Sequence, residues 1–132
     1  MRVSIEAIGP ERADEFRQFV QGAEQAAYTR PDLGITADCF SKEIFDLPET
    51  VECYVGYCAL DENVQAWVAT DEDGEIIGSV GAKRQAEYCE QNSLYVTPSL
   101  KGRGIGRALF ERVLEFAGSL PIRVDVVDYM PL

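Results

Sequence analysis

The sequence holds 132 residues, 46% hydrophobic and 27% charged, which suits one hydrophobic core and excludes a disordered chain. No stretch approaches the roughly 20 apolar residues that span a bilayer, and 12 basic against 23 acidic residues give a net charge of −11, which repels phosphate backbones and anionic lipid head groups. Nucleic-acid and membrane partners are therefore not expected, and Glu6, which interrupts the apolar start a secretory signal needs, makes a cytoplasmic protein the expectation.

In chain order, residues 3–8 alternate as Val-Ser-Ile-Glu-Ala-Ile, the period of a strand with one buried face. Gly9-Pro10 breaks it, and Glu11, Asp14 and Glu15 suit the positive end of a helix starting near residue 10. Phe16, Phe19, Val20, Ala23, Ala26 and Ala27 recur at three- and four-residue steps, predicting that this stripe packs inward up to a turn over residues 28–34. The next segment is patchier, with a short helix expected over residues 37–45 and another opened by Pro48.

Residues 64–70, the turn Asp71-Glu72-Asp73-Gly74 and residues 75–82 read as an antiparallel hairpin, with Gly78 and Gly81 marking a bulge or close approach. A further strand is expected over residues 85–96, stopped by Thr97-Pro98. A helix follows over residues 104–117, with Ile105, Leu109, Val113 and Phe116 on one stripe, and a final strand over residues 122–127. The order β-α-α-β-β-β-α-β describes a single α+β or mixed α/β domain spanning residues 1–132.

Histidine is absent, which removes the commonest neutral-pH base and every Ser-His or Cys-His nucleophile pair. Cys39, Cys53, Cys58 and Cys89 have no metal-ligand spacing and read as plain reduced thiols, so no metal is expected.

Chemistry concentrates between the third central strand and its helix. There Gly102, Gly104 and Gly106 clear side chains from a turn feeding a helix N-terminus, whose free N–H groups suit phosphate oxygens. Lys101, Arg103 and Arg107 add positive charge in an acidic protein. No Gly-Lys-Ser/Thr follows, as a Walker loop needs, and the glycine spacing is not the dinucleotide fingerprint.

With Leu94-Tyr95-Val96-Thr97-Pro98 before it, the run Lys101-Gly102-Arg103-Gly104-Ile105-Gly106 resembles the signature of the GNAT superfamily of acyl-CoA-dependent N-acyltransferases, Gln/Arg-x-x-Gly-x-Gly/Ala after an apolar-aromatic-Val-x-Pro strand end. Lys101 departs from the usual Gln or Arg. The resemblance implies a mostly antiparallel central sheet flanked by helices. It also implies acetyl-CoA as co-substrate, transfer of its acetyl group to a primary amine by direct attack, backbone of Leu94, Tyr95 and Val96 along the pantetheine arm, and N–H groups from Lys101 to Arg107, Ile105 included, around the pyrophosphate.

In the family the base is often a carboxylate on the third central strand. Glu90 is the candidate, with a solvated strand carboxylate as the alternative; the strand period puts it on one face with Asn92. The family's thiolate acid is usually a tyrosine on a further helix, before two more strands, and the sequence stops at Leu132. The chain is accordingly expected to be a GNAT domain lacking its C-terminal part, with Tyr129 as substitute acid and a homodimer covering the exposed strand edge. Two alternatives stay open, a non-catalytic CoA-binding module and a truncated product held by self-association. The acceptor is unspecified: the negative charge suits a cationic amine and equally serves solubility.

Overall fold

The computed structural model describes residues 1–125. Its strands are β1 (Ser4–Ala7), β2 (Val64–Thr70), β3 (Ile76–Arg84), β4 (Cys89–Val96) and β5 (Ile122–Val124), and its α-helices are α1 (Ala13–Tyr28), α2 (Lys42–Phe45), α3 (Pro48–Tyr57) and α4 (Ile105–Ala117). They form one sheet in the order β1-β2-β3-β4-β5. The first four strands pair antiparallel and β4 pairs parallel to β5, a connection that needs a crossover, supplied by α4. The expected mostly antiparallel sheet flanked by helices is observed.

Helices cover both faces, so β2 is buried almost without alternation from Ala66 to Thr70. On one face Leu109 and Val113 of α4 pack against Val80, Ala82 and Cys89. On the other, Phe16 and Val20 of α1 and Cys58, just past α3, pack against Ala66 and Val68. The β2–β3 turn forms as its sequence predicts: the Asp71 carboxylate accepts from the Asp73 and Glu75 amides at 2.9 and 3.0 Å.

Three expectations need correction. The stretch between β1 and β2 holds the three helices read along the chain, one more than the order β-α-α-β counts, and the expected 37–45 helix is a 3-10 turn over Ala37–Phe40 followed by a short α2 that Ser41 caps. Helix α1 begins at Ala13 after a 3-10 turn over Pro10–Arg12. Its buried residues are Ala13, Phe16, Arg17, Val20 and Gln21, so the helix is rotated from the stripe read in the sequence. Polar groups turn inward because partners meet them: Arg17 bonds Asp14 at 2.7 Å and Asp46 at 3.3 Å, and Gln21 donates to the Phe40 carbonyl at 2.6 Å.

Candidate functional site

Strand β4 changes parity in mid-course. Gly81 pairs with Asn92 and Ser79 with Tyr95, so Ser93 and Leu94 together oppose Val80. Ser93 has φ of 53°, an uncommon value for a non-glycine residue and the mark of a bulge. Before it, Cys89 faces α4, while Asn92 donates from its side-chain amide to the Tyr57 phenol of α3. After it, Leu94 and Val96 pack toward α4 and Tyr95 toward α1 and α3. The inserted residue thus brings Tyr95 onto the face of Asn92. Among the described residues β5 pairs with β4 only from Cys89 to Gln91, so the edge of residues 94–96 that faces away from β3 is left without a strand partner.

After Val96 the chain makes a 3-10 turn (Pro98–Leu100) and enters the glycine loop. Gly102 and Gly104 have φ of 84° and 81°, the left-handed region that side chains resist. Gly104 is the N-cap of α4 and no side chain caps that helix, so the first-turn N–H groups have no acceptor within it. Gly106 does a different job. It lies in the helix, where an added Cβ would stand 3.7 Å from Val96 Cγ2, so two glycines rather than three shape the turn.

A cleft of about 820 Å³ runs between α1, the end of β4 and this loop. Of the residues expected to hold cofactor, Leu94, Tyr95, Val96, Lys101, Gly102, Gly104, Ile105, Gly106 and Arg107 all line it. Arg103 instead lines a neighbouring 230 Å³ hollow against Met1, Val3 and Ile5. The opposite wall is the face of α1 carrying Phe19, Gly22, Ala23, Ala26 and Ala27, most of the stripe the sequence assigned to the core.

Tyr95, which lines the cleft, donates its hydroxyl to Glu24 Oε1 at 3.4 Å, and that hydroxyl lies 3.3 Å from the Tyr28 hydroxyl; Glu24, Tyr28 and Tyr54 are not part of the cleft wall. Burial raises the Glu24 carboxyl above its ordinary value, against a hydrogen bond from Tyr95 that lowers it. Burial likewise raises the phenols of Tyr95, Tyr54 and Tyr57, and the Glu24 charge adds to the rise at Tyr95 and Tyr54. These groups stay neutral donors through the physiological range.

Glu90 stands apart from this arrangement. It is absent from the cleft wall and sits in register between Lys83 and Arg123, while the Arg123 guanidinium pairs with Asp125 at 3.4 Å. Two positions before Asn92 and ahead of the bulge, it keeps the strand parity of Asn92. Tyr129 lies outside the described residues.

Residues 24–128 match the model of the acetyltransferase (GNAT) family. The chain belongs to that family. A GCN5-related N-acetyltransferase from Ralstonia eutropha shares the GNAT fold at TM-score 0.72 and 16% identity, over 96% of this chain and 85% of that one. The PaiA N-acetyltransferase of Thermoplasma acidophilum, solved in complex with coenzyme A, superposes at TM-score 0.68 and 21% identity, over 98% and 82%. A GNAT acetyltransferase of Staphylococcus aureus does so at TM-score 0.64 and 16% identity; 87% of this chain is covered, and it spans 65% of that protein's length. Nothing matches among curated protein sequences.

Set within the GNAT fold, Glu24, Tyr28, Tyr54 and Asn92 are the residues that reading the sequence did not assemble. One signal was present: positions 13, 16, 17, 20, 21, 24 and 28 also keep helical spacing, and that face ends on a carboxylate one turn before a phenol. Arg17, Gln21 and Glu24 give that face a polar sequence.

Proposed function

We propose that this protein transfers an acetyl group from acetyl-CoA to a primary amine, by direct attack of the amine nitrogen on the thioester carbon, with residues 1–132 working as one acyl-CoA-binding domain. The observation that carries the reading is the course of the cleft, from an uncapped, glycine-shaped helix start along the unpartnered edge of residues 94–96. Pyrophosphate would take the N–H groups of residues 101–107, with Lys101 and Arg107, which line the cleft, as countercharge. The pantetheine arm would add to the unpartnered edge of residues 94–96 as an extra strand, peptide-like group against backbone. That course delivers the thioester toward the parity change at Ser93, beside Tyr95.

This chain's contribution is largely positional. Holding thioester and amine in one oriented cleft removes most of the entropic part of the barrier. Backbone donors near the bulge would face the oxygen that gains charge in the tetrahedral intermediate. A carboxylate on the α1 and α3 side of the sheet, where both Glu24 and Glu90 stand, would take the ammonium proton.

The second reading, a module that binds CoA without turnover, is favoured by the cleft wall, which carries no carboxylate among the described residues. One experiment separates them: calorimetric titration with acetyl-CoA, then thiol release on adding n-butylamine, cadaverine or Nα-acetyl-lysine amide. Binding with release supports acetyl transfer, binding without release supports the module, and no binding removes both.

A further inference from the structure

We infer that the recess between α1 and α2 is a binding site for a compact oxyanion, a phosphate or carboxylate group held between Arg17 and Lys42. The recess has a volume of about 240 Å³ and is walled by Arg17, Gln18, Gln21, Lys42, Phe45 and Asp46. That is below the roughly 300–1,000 Å³ of sites that enclose a whole small molecule, so it suits a single group of a few atoms.

Three observations carry it. Arg17 is only 7% exposed, and its guanidinium has more donors than acceptors to meet them. Nη1 donates to Asp14 at 2.7 Å and Nη2 to Asp46 at 3.3 Å, while Nε is buried with no hydrogen-bond partner, so much of the five-donor fork is unmet. Lys42 is exposed, lines the recess and, among the described residues, forms no ion pair. The wall therefore carries two cations against one carboxylate, Asp46, in a chain of net charge −11. Asp14, the other partner of Arg17, and Glu43, beside Lys42 in sequence, are not part of that wall.

A buried guanidinium has given up water, and each N–H left unmet keeps that loss uncompensated. An oxyanion supplies both acceptors and charge to the fork, and Lys42 adds a second positive charge from α2. An ammonium ligand is disfavoured for the converse reason: it would enter beside two cations, with Asp46 already engaged by Arg17. Gln18 lines the recess and the cleft alike, so the oxyanion has two sources, a free anion or a phosphate carried by the cleft's own ligand.

The test reads the lysines of the whole chain, Lys42, Lys83 and Lys101, by reductive methylation with formaldehyde followed by mass spectrometry. Phosphate and succinate are each expected to slow methylation of Lys42 about threefold or more while Lys83, on β3, keeps its rate. Lys101 reports anions at the glycine loop in the same sample. Calorimetric titration of succinate into the Gly104→Asp chain, whose loop repels anions, should lose about tenfold in affinity when Lys42→Gln is added. Lys42 protected by neither anion, or succinate affinity within about twofold after Lys42→Gln, would overturn the assignment. CoA and dephospho-CoA then identify the source. Greater protection of Lys42 by CoA assigns the oxyanion to the cofactor's 3′-phosphate, and equal protection assigns it to a free anion.

Discussion

The Ser79 hydroxyl, fully buried in β3, donates to the Ser93 carbonyl at 2.8 Å, at the residue where β4 changes parity. A bulge leaves a backbone group outside the ladder, and inside a protein such a group needs a partner. Ser79→Ala removes that partner and is expected to cost about 1–3 kcal/mol. Thermal denaturation should show a lower midpoint, with weaker acetyl-CoA binding because Tyr95 is no longer held in place. A midpoint equal to that of the parent would mean the bulge is held by other contacts.

At Gly104 the backbone and the charge can be tested separately. With φ of 81° an L side chain costs roughly 1–2 kcal/mol, less for asparagine. Space is not limiting, since an added Cβ meets nothing within 4 Å. CoA affinity measured by calorimetry should fall in the order Gly, Asn, Ala, Asp, with Gly104→Asp abolishing binding by adding negative charge where pyrophosphate is to sit. Equal affinities for Gly104→Asp and the parent would take the loop out of the mechanism.

Gly81 tests the other side of the site. A Cβ there would stand 2.6 Å from Asn92 Oδ1 and 3.2 Å from Tyr57 Cε1, so Gly81→Ala must break the Asn92–Tyr57 hydrogen bond or shift α3. The expected cost is about 1–3 kcal/mol, read as a lower denaturant midpoint. Gly81→Ala combined with Asn92→Ala should recover part of it, since the clashing amide is gone.

The cysteines give a prediction in pH. Cys39 and Cys53 are exposed and Cys58 and Cys89 buried, so a thiol reagent at pH 8 should titrate two groups in the native protein and four after unfolding. Burial pushes the Cys58 thiol up to about 11. The folded chain therefore holds this proton more tightly than the unfolded one, so its contribution is full below the unfolded thiol range, about 8.5, and is lost as pH rises through about 11. Tyr54 and Tyr95, raised by burial as well, extend the loss to higher pH. Cys58→Ala should flatten the first part of that alkaline decline.

The glycine loop was legible because only glycine takes φ near 80° without strain, and its surroundings, a strand stopped by Pro98 and an amphipathic helix, are themselves local patterns. The hairpin was legible for the same reason. Three features were not, and each depends on contacts distant in sequence. The bulge sits on Ser93, a residue type with no turn preference strong enough to announce it, and is secured from 14 positions away by Ser79. The rotation of α1 follows from Arg17 and Gln21 finding Asp46 and the Phe40 carbonyl. Glu24 meets Tyr95 over a separation of 71 residues, so a carboxylate that reads as a solvated helix residue becomes half-buried only once the sheet is in place. Glu90 shows the reverse: its place on a strand suggested chemistry, while in the fold it stands in register with Lys83 and Arg123 and off the cleft wall.

Beyond Gln18 and Phe19, the wall that α1 turns to the cleft is made of small residues, Gly22, Ala23, Ala26 and Ala27, and a methyl group set on Gly22 meets nothing within 4 Å. Width along this wall can therefore be taken up one carbon at a time without moving the backbone, the sheet or either anchoring end. Capacity and attachment are separate variables in this molecule, and the girth of the ligand the cleft admits can be graded by substitutions on a single helix.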